Sequence, residues 1–536
     1  MAEIFSNITL ERRTATNETW TDLWNDVILT AGVKGGVGIL NNGFLDRTPD
    51  GNTLTFTLDN SAGNMNATQG WYALSANLTY GDIIRVGFWY AGEVKYLPLY
   101  YIPPNGIKIS AGVYGPKTVT VTATDWFGLM SLYPLDSISY QVNKRIDEAV
   151  ELVLQELPAI LRPTYKVFYT GDETFADVFD LMKSSTTVLA ELNKLAISEM
   201  GYIYMRGSSF GGNVMVVENR LYRNSNPADT AYYKRSADTT DIFLLANGTD
   251  QFLIANATDK LLLTETQTGD FDDADLDVTR EYGYGTGDDY ANYSKITLTP
   301  RVVDADATTV LWTMEGAILV PAGETLEPIE AQYRDPNNRT NKVNCIAGTS
   351  PVRTTDFQGF ANEDGTGTNL TAFLQVDVDF EPAAARIVLS NTGGTDLYTG
   401  GDTLFRLRGQ GVYVFDTIDY LLERPASETV GRHNLNMNMP YFSRTDGAMG
   451  LLLQTLKNAA NRVTNVRRYP MLANRNAANM MAFMCLEPGT KATFAEGMTM
   501  SSGVDFWIQG YEFEIINKEY VYWSPCLFNH DNIPEL

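Results

Sequence analysis

Gly207-Ser208-Ser209-Phe210-Gly211 has the G-x-S-x-G spacing of a nucleophile elbow. In that chemistry the central Ser projects from a strand-to-helix turn and a His takes its proton. Here strands are predicted on both sides, over 202–205 and 214–217, so the motif reads as a hairpin turn. The chain holds two histidines, His433 and His530. His530 falls in an irregular tail. His433 follows Gly431-Arg432 and reads as a structural or surface residue. Lys34-Gly35-Gly36-Val37-Gly38 resembles part of a phosphate-binding loop. Ile39 and Leu40 stand where the second Lys and the Ser/Thr should follow, so the phosphate contact and the Mg²⁺ ligand are missing. The stretch is predicted to be a flexible turn. Asp270, Asp272, Asp273, Asp275 and Asp277 could gather around Ca²⁺, but the sharp-turn Gly and the closing Glu of an EF-hand loop are absent. They read as an acidic linker at a domain boundary.

The remaining chemistry is thin. Cys345, Cys485 and Cys526 are far apart, odd in number and form no CxxC pair. They support neither a zinc ribbon nor a disulfide framework, and buried free thiols are expected. Among 65 acidic residues no pair stands out as a glycosidase acid and base. No HExxH and no lysozyme-like Glu motif is present. No catalytic, cofactor-binding or metal-binding residue is therefore named, and no enzyme is expected.

A chain of 536 residues suggests several domains. Its 44% hydrophobic and 11% aromatic content is that of a folded protein. A net charge of -25 argues against nucleic-acid binding as the main task. An acidic wall is still compatible with DNA in passage, because it repels phosphates. No stretch approaches the roughly 20 apolar residues of a membrane span. The first residues, Met1 to Ser6, lack a basic region followed by an apolar one, so no secretory signal is expected.

Early strands alternate with period two. Leu54, Phe56 and Leu58 share one face, and Thr53, Thr55 and Thr57 the other. Runs at 81–90 and 117–126 behave likewise. Helical spacing begins with Ile146, Ala149, Val150, Val153, Leu154 and Leu157, and Pro158 is the stop signal. A second helix follows the caps offered by 184–187, with Val188, Leu189, Leu192, Leu195 and Ala196 on its face and Gly201 as its C-terminal cap. Residues 241–265 repeat a short apolar run and a polar turn with a period of nine. Further strands are predicted at 293–299, 385–390, 404–409, 505–510 and 511–515, and a helix over 448–463.

The order of these pieces resembles one family. The Thr-rich strand ending Leu58-Asp59-Asn60-Ser61-Ala62-Gly63, the strand Gly81-Asp82-Ile83-Ile84-Arg85-Val86, and Val119-Thr120-Val121-Thr122-Ala123-Thr124-Asp125 follow the sequence of motifs found in tail-tip (baseplate) hub proteins, or minor tail proteins, of long-tailed bacteriophages. So do Glu199-Met200-Gly201-Tyr202-Ile203-Tyr204 with the later Glu218-Asn219-Arg220. The series continues at Asp288–Leu298, Arg386–Gly393 and Phe506–Ile515. The resemblance implies a mainly β fold with α+β inserts: two barrel-like, tail-tube-type β domains and a small α+β domain with two helices. The division expected is 1–134 (first barrel), 135–235 (α+β), 236–278 (repeat insertion and acidic linker), 279–430 (second β domain) and 431–536 (the C-terminal part of the second barrel).

The resemblance also implies a virion protein at the tail tip, made in the host cytoplasm. It would form a homotrimeric hub that continues or closes the tail tube and gates DNA ejection. Its partners would be a distal-tail or tube ring, the tape-measure protein, and tail fibres or a receptor-binding module, with DNA only in transit and no membrane span. Two other readings stand beside it: a receptor- or carbohydrate-binding tail module, and a tail-associated cell-wall hydrolase. The repeat residues Phe243, Leu244, Phe252 and Leu253 are the first candidates for an interface, with a core role as the alternative.

Overall fold

The structure, a computed structural model, describes residues 7–14, 19–41, 43–60, 78–110, 117–135, 138–179, 186–224, 291–338, 341–399, 405–424, 431–460, 464–496, 500–517 and 519–529, with short strands at 232–233, 243–244, 251–252, 263–264, 270–271 and 283–286.

Alternation decides the early strands. In Thr53–Asp59 the side chains of Leu54, Phe56 and Leu58 are buried, and the intervening threonines face outward. Thr118–Asp125 pairs with it antiparallel and buries Val119, Val121 and Ala123 on the same side. Both belong to a sheet of 16 strands among the described residues. Its path runs Thr21–Asp22, Asn7–Arg13, Ile83–Tyr90, Tyr100–Tyr101, Thr118–Asp125, Thr53–Asp59 and Val33–Gly38. It then crosses to Met500–Ile516, Tyr520–Asn529, Thr464–Arg468 and Gly283–Thr286. Among the described residues the path is open rather than closed into a barrel. One hydrophobic core underlies both halves and includes Phe56, Val86 and Val121 together with Phe494, Ile508 and Trp523. The mainly β class with a few helices is as predicted.

The crossing corrects the reading of Lys34–Gly38. It is not a turn but the strand Val33–Gly38, paired antiparallel with Gly510–Ile515 on one side and Thr53–Asp59 on the other. Its glycines serve close packing. A Cβ on Gly35 would lie 2.7 Å from the Phe513 ring. Gly38 has φ +76°, and a Cβ there would lie 2.6 Å from the Gln509 carbonyl. Lys34 pairs across the ladder with Glu514, Nζ to Oε1 at 2.8 Å. The expected pair of strands at 505–515 is one strand of 17 residues, Met500–Ile516. A bulge between Ile508 and Gly510 bends it where the sequence suggests a break.

The α+β region follows its spacing. Asp125 caps Trp126–Met130, accepting the Gly128 N–H at 2.8 Å. Ile146–Glu156 buries Ile146, Ala149, Val150, Val153 and Leu154. Val188–Glu199 buries Val188, Leu189, Leu192, Leu195 and Ala196. The left-handed residue ending this helix is Met200 (φ 58°), not Gly201. Gly201 is needed for proximity instead, since a Cβ on it would sit 2.1 Å from the Glu218 carbonyl. The Thr187 hydroxyl accepts the Ala190 N–H at 3.3 Å as N-cap. Thr187→Ala should therefore cost about 1 kcal/mol, seen as faster amide exchange in the first turn of Val188–Glu199. Unchanged exchange there would remove the cap from the account.

Residues 301–414 carry a core of their own, including Leu311, Val320, Tyr333, Leu389 and Leu407. This body is inserted between Tyr293–Leu298 and Ile418–Glu423, which pair with each other antiparallel. Asn434–Asn438 adds in parallel, and the helix Thr445–Ala460 covers the sheet with Ala448, Leu451 and Leu452. That helix starts three residues before the predicted 448, and 461–463 lie outside the described residues. The helix Ala477–Cys485, capped by Asn476, had no clear signal in the sequence.

In the repeat, Phe243–Leu244 pairs with Gln251–Phe252, and Leu263–Thr264 pairs with Tyr232–Tyr233. Leu253 lies outside the described residues. Asp270–Phe271 joins Thr493–Phe494 in parallel, and 272–277 lie outside the described residues. No helix among the described residues is long and apolar enough to cross a membrane.

Candidate functional site: a buried ionic junction

The hairpin Tyr202–Arg206 and Val214–Glu218 presents Tyr202, Tyr204 and Val216 on one face, against Ile39 of the N-terminal sheet. Glu218 ends the hairpin fully buried. Its carboxylate accepts the Tyr204 hydroxyl on one oxygen and Arg223 Nε, at 2.7 Å, on the other. Arg206 donates Nη2 to the Tyr204 hydroxyl at 3.0 Å and Nε to the Pro488 carbonyl at 2.6 Å. Beside Pro488, Glu487 meets Lys95 Nζ at 2.7 Å. Lys95 is 4% exposed, and its ammonium also reaches the Phe483 and Leu486 carbonyls at 2.6 and 3.1 Å. Those three acceptors satisfy its three protons. The turn 487–489 is thus pinned between the first sheet and the hairpin. Gly489 permits it, because a Cβ there would lie 1.9 Å from the Tyr204 hydroxyl.

A second cluster lies at the end of the helix Val188–Glu199. The Glu199 carboxyl accepts the Asp172 and Glu173 N–H groups at 2.9 and 3.1 Å. Arg220 reaches Asp172 at 3.0 Å, Glu173 at 2.9 Å and Glu199 at 3.8 Å. Burial pushes the Glu199 carboxyl up to about 7, against the pull of Arg220 and the two N–H groups. Arg444, just before the helix Thr445–Ala460, approaches Glu173 at 3.8 Å. A third knot ties on the inserted body: buried Asp177 accepts the Tyr140 hydroxyl at 2.7 Å and Arg301 Nη1 at 2.8 Å.

These groups fix chain segments, and among the described residues they leave no reactive side chain poised beside a base. Ser209 is exposed on the hairpin turn. Ser208 closes that turn, donating to the Gly212 carbonyl at 2.9 Å and accepting its N–H at 3.1 Å. His433 is exposed beside a different sheet, next to Asn434–Asn438. Cys345 and Cys526 are buried free thiols, pushed up by burial to about 11 and about 12, so neither is a thiolate at neutral pH. Cys485 is half-buried. Among the described residues no group of three His, Cys, Asp or Glu side chains could hold a metal ion.

Sequence reasoning missed Lys95, Arg206 and Glu487 as a set, because their partners are far apart in the chain. The available signal was the pair of motifs at 199–204 and 218–220. Glu199, Gly201, Tyr202, Tyr204, Glu218 and Arg220 all sit in the two clusters just described.

No protein-family model matches the chain, and no curated protein does. Among solved structures, the chain is similar to tail proteins. One is the tail protein from Neisseria meningitidis MC58, at 8% identity and TM-score 0.43, covering 98% of both chains. Another is the 43 kDa tail protein of prophage MuSo2 from Shewanella oneidensis, at 10% identity and TM-score 0.43, covering 98% of this chain and 100% of that one. A third is the prophage tail protein gp18 from Listeria monocytogenes EGD-e, at 7% identity and TM-score 0.37, covering 98% and 95%. At these identities and scores, function has to be read from this chain's own residues.

Proposed function

We propose that this chain is a structural protein of a bacteriophage tail, forming a trimeric hub at the distal end that continues or closes the tube and gates DNA ejection. The observation that carries the reading is the seam between Val33–Gly38 and Gly510–Ile515. A threefold collar that meets a sixfold tube needs each chain to supply two β modules side by side. Through the seam, strands within 1–134 and strands within 464–529 share one continuous sheet, and in this reading the latter belong to the second module. The ordered series of family-like motifs points the same way, and the net charge of -25 suits a channel from which DNA must slide freely. In this reading the partners are two further copies, a distal-tail or tube ring, the tape-measure protein, and fibres or a receptor-binding module.

The reading makes the protein a scaffold and not an enzyme. Purified protein should run as a trimer by light scattering, and labelled antibody should mark the tube end of intact particles. It should leave no cleared band on a peptidoglycan zymogram. A monomer found on a detachable peripheral spike would favour the receptor-binding alternative, and a cleared band the hydrolase.

A further inference from the structure

Two buried guanidinium groups lie over one tyrosine ring. Arg223 Cζ is 3.7 Å from the centre of the Tyr202 ring and Arg47 Cζ is 4.5 Å from it. Arg47 is 2% exposed and Arg223 4%. Arg223 gives its Nε to Glu218, but Nη1 and Nη2 meet no acceptor among the described residues, and neither does Arg47 Nε. Arg47 Nη1 reaches the Met200 carbonyl at 3.3 Å. Asp46, the neighbouring acid in sequence, accepts the Gly43 N–H instead. The other walls are aromatic, Phe44 at 5.0 Å from Arg47 and Trp507 at 5.6 Å from Arg223.

The charge does not balance. Among the described residues, buried Arg47, Arg223 and Lys95 and half-buried Arg206 share the junction with the carboxylates of Glu218 and Glu487, and Asp46 acts on Arg47 through space without touching it. A positive excess is buried in a chain whose net charge is -25. Cation–π contacts offset only part of what an uncompensated buried ion costs. A water molecule could accept one of the unpaired protons, but it brings no charge.

We propose that the junction binds a small monatomic anion, chloride in solution, held by Nη1 and Nη2 of Arg223 beside the Tyr202 ring and neutralised jointly with Arg47. A monatomic ion suits the site better than phosphate or sulfate. The free donors are few and enclosed, whereas a tetrahedral oxyanion brings four oxygens, each needing a partner. The ion would complete the contact between the hairpin and the strand Met500–Ile516, to which Trp507 belongs.

Bromide is the direct probe. Wild-type crystals soaked in sodium bromide and measured at the bromine edge should show an anomalous peak within hydrogen-bonding reach of Arg223 Nη1 or Nη2. In solution, chloride and bromide should raise the melting midpoint saturably above sodium gluconate at equal ionic strength. Arg47→Met removes the cation that touches no carboxylate among the described residues and so should fold, and it should need about tenfold more chloride for half the effect. Arg223→Met should abolish the effect. A wild-type map with water or no peak at Arg223, or equal midpoints in chloride and gluconate, overturns the proposal. Stabilisation by phosphate equal to that by chloride overturns the monatomic assignment.

Discussion

Gly510→Ala should open the seam between Val33–Gly38 and Met500–Ile516 and raise amide exchange across 33–38 about a hundredfold. A Cβ at this position would lie 2.5 Å from the Val37 carbonyl, 2.7 Å from the Ile39 carbonyl and 2.8 Å from the Ile39 nitrogen. All three are backbone atoms of the paired strand, so no side chain can swing aside. The strands must separate locally or the backbone must strain, at about 3 kcal/mol. Gly38→Ala should match it, because its φ of +76° adds a second penalty to the 2.6 Å approach to Gln509. The two glycines face one another in register, so the double variant should cost less than the sum of the two. Gly316→Ala is the control: nothing lies within 4 Å of its Cβ, and the change should fall within about 0.5 kcal/mol of neutral. Hydrogen exchange is the right readout, since a chain with several cores does not unfold in one step. Wild-type protection at 33–38 in Gly510→Ala would show that the seam is looser than described.

The same glycines explain what the sequence hides. Leu54, Phe56 and Leu58 announce their strand because large side chains mark every second position. Lys34–Gly38 carries three glycines in five residues and leaves no alternation to read. The information sits instead in Phe513, whose ring covers Gly35 from the partner strand. Gln509-Gly510 looks like a turn, yet it is a bulge that lets Gly510 lie against Val37 and Ile39. Local propensity cannot separate these cases, because the deciding atoms belong to the other end of the chain.

Helix faces were legible for the opposite reason. Ile146 to Leu154 and Val188 to Ala196 carry their own period, and their burial follows it. The junction was half legible. Glu199 and Glu218 stand in recognisable motifs, but neither spacing nor composition reveals that Arg220 and Arg223 close on them. A buried charge is defined by its partner, and the partner is a property of the fold.

Stability should decline between pH 4.5 and about 7 chiefly through Glu199, and Glu199→Gln should remove most of that decline. Glu199 is fully buried, and its pKa is raised from the ordinary 4.5 to about 7, chiefly by loss of solvent. Folding therefore increases its affinity for the proton. As pH rises through 4.5 the unfolded chain releases that proton first, and the folded state loses ground until its own carboxyl ionises near 7. A rise of two to three pH units is worth about 3 kcal/mol. The groups facing it set this window: Arg220 at 3.8 Å, with Asp172 and Glu173 donating their N–H groups. Burial also raises Glu173, the partner of Arg444, so that carboxyl adds to the same trend. Gln cannot ionise, and it keeps one carbonyl oxygen for two N–H donors. The lost acceptor costs about 1 kcal/mol at every pH, which shifts the curve without tilting it. The quantity to measure is therefore the opening free energy of the helix Val188–Glu199 in Glu199→Gln minus that in wild type, from amide exchange corrected for intrinsic rates between pH 4.5 and 8. It should start slightly negative and climb by about 3 kcal/mol, most of it below pH 7. A flat difference would mean that Glu199 is already ionised when folded, held so by Arg220, and the cluster would then be a plain salt bridge.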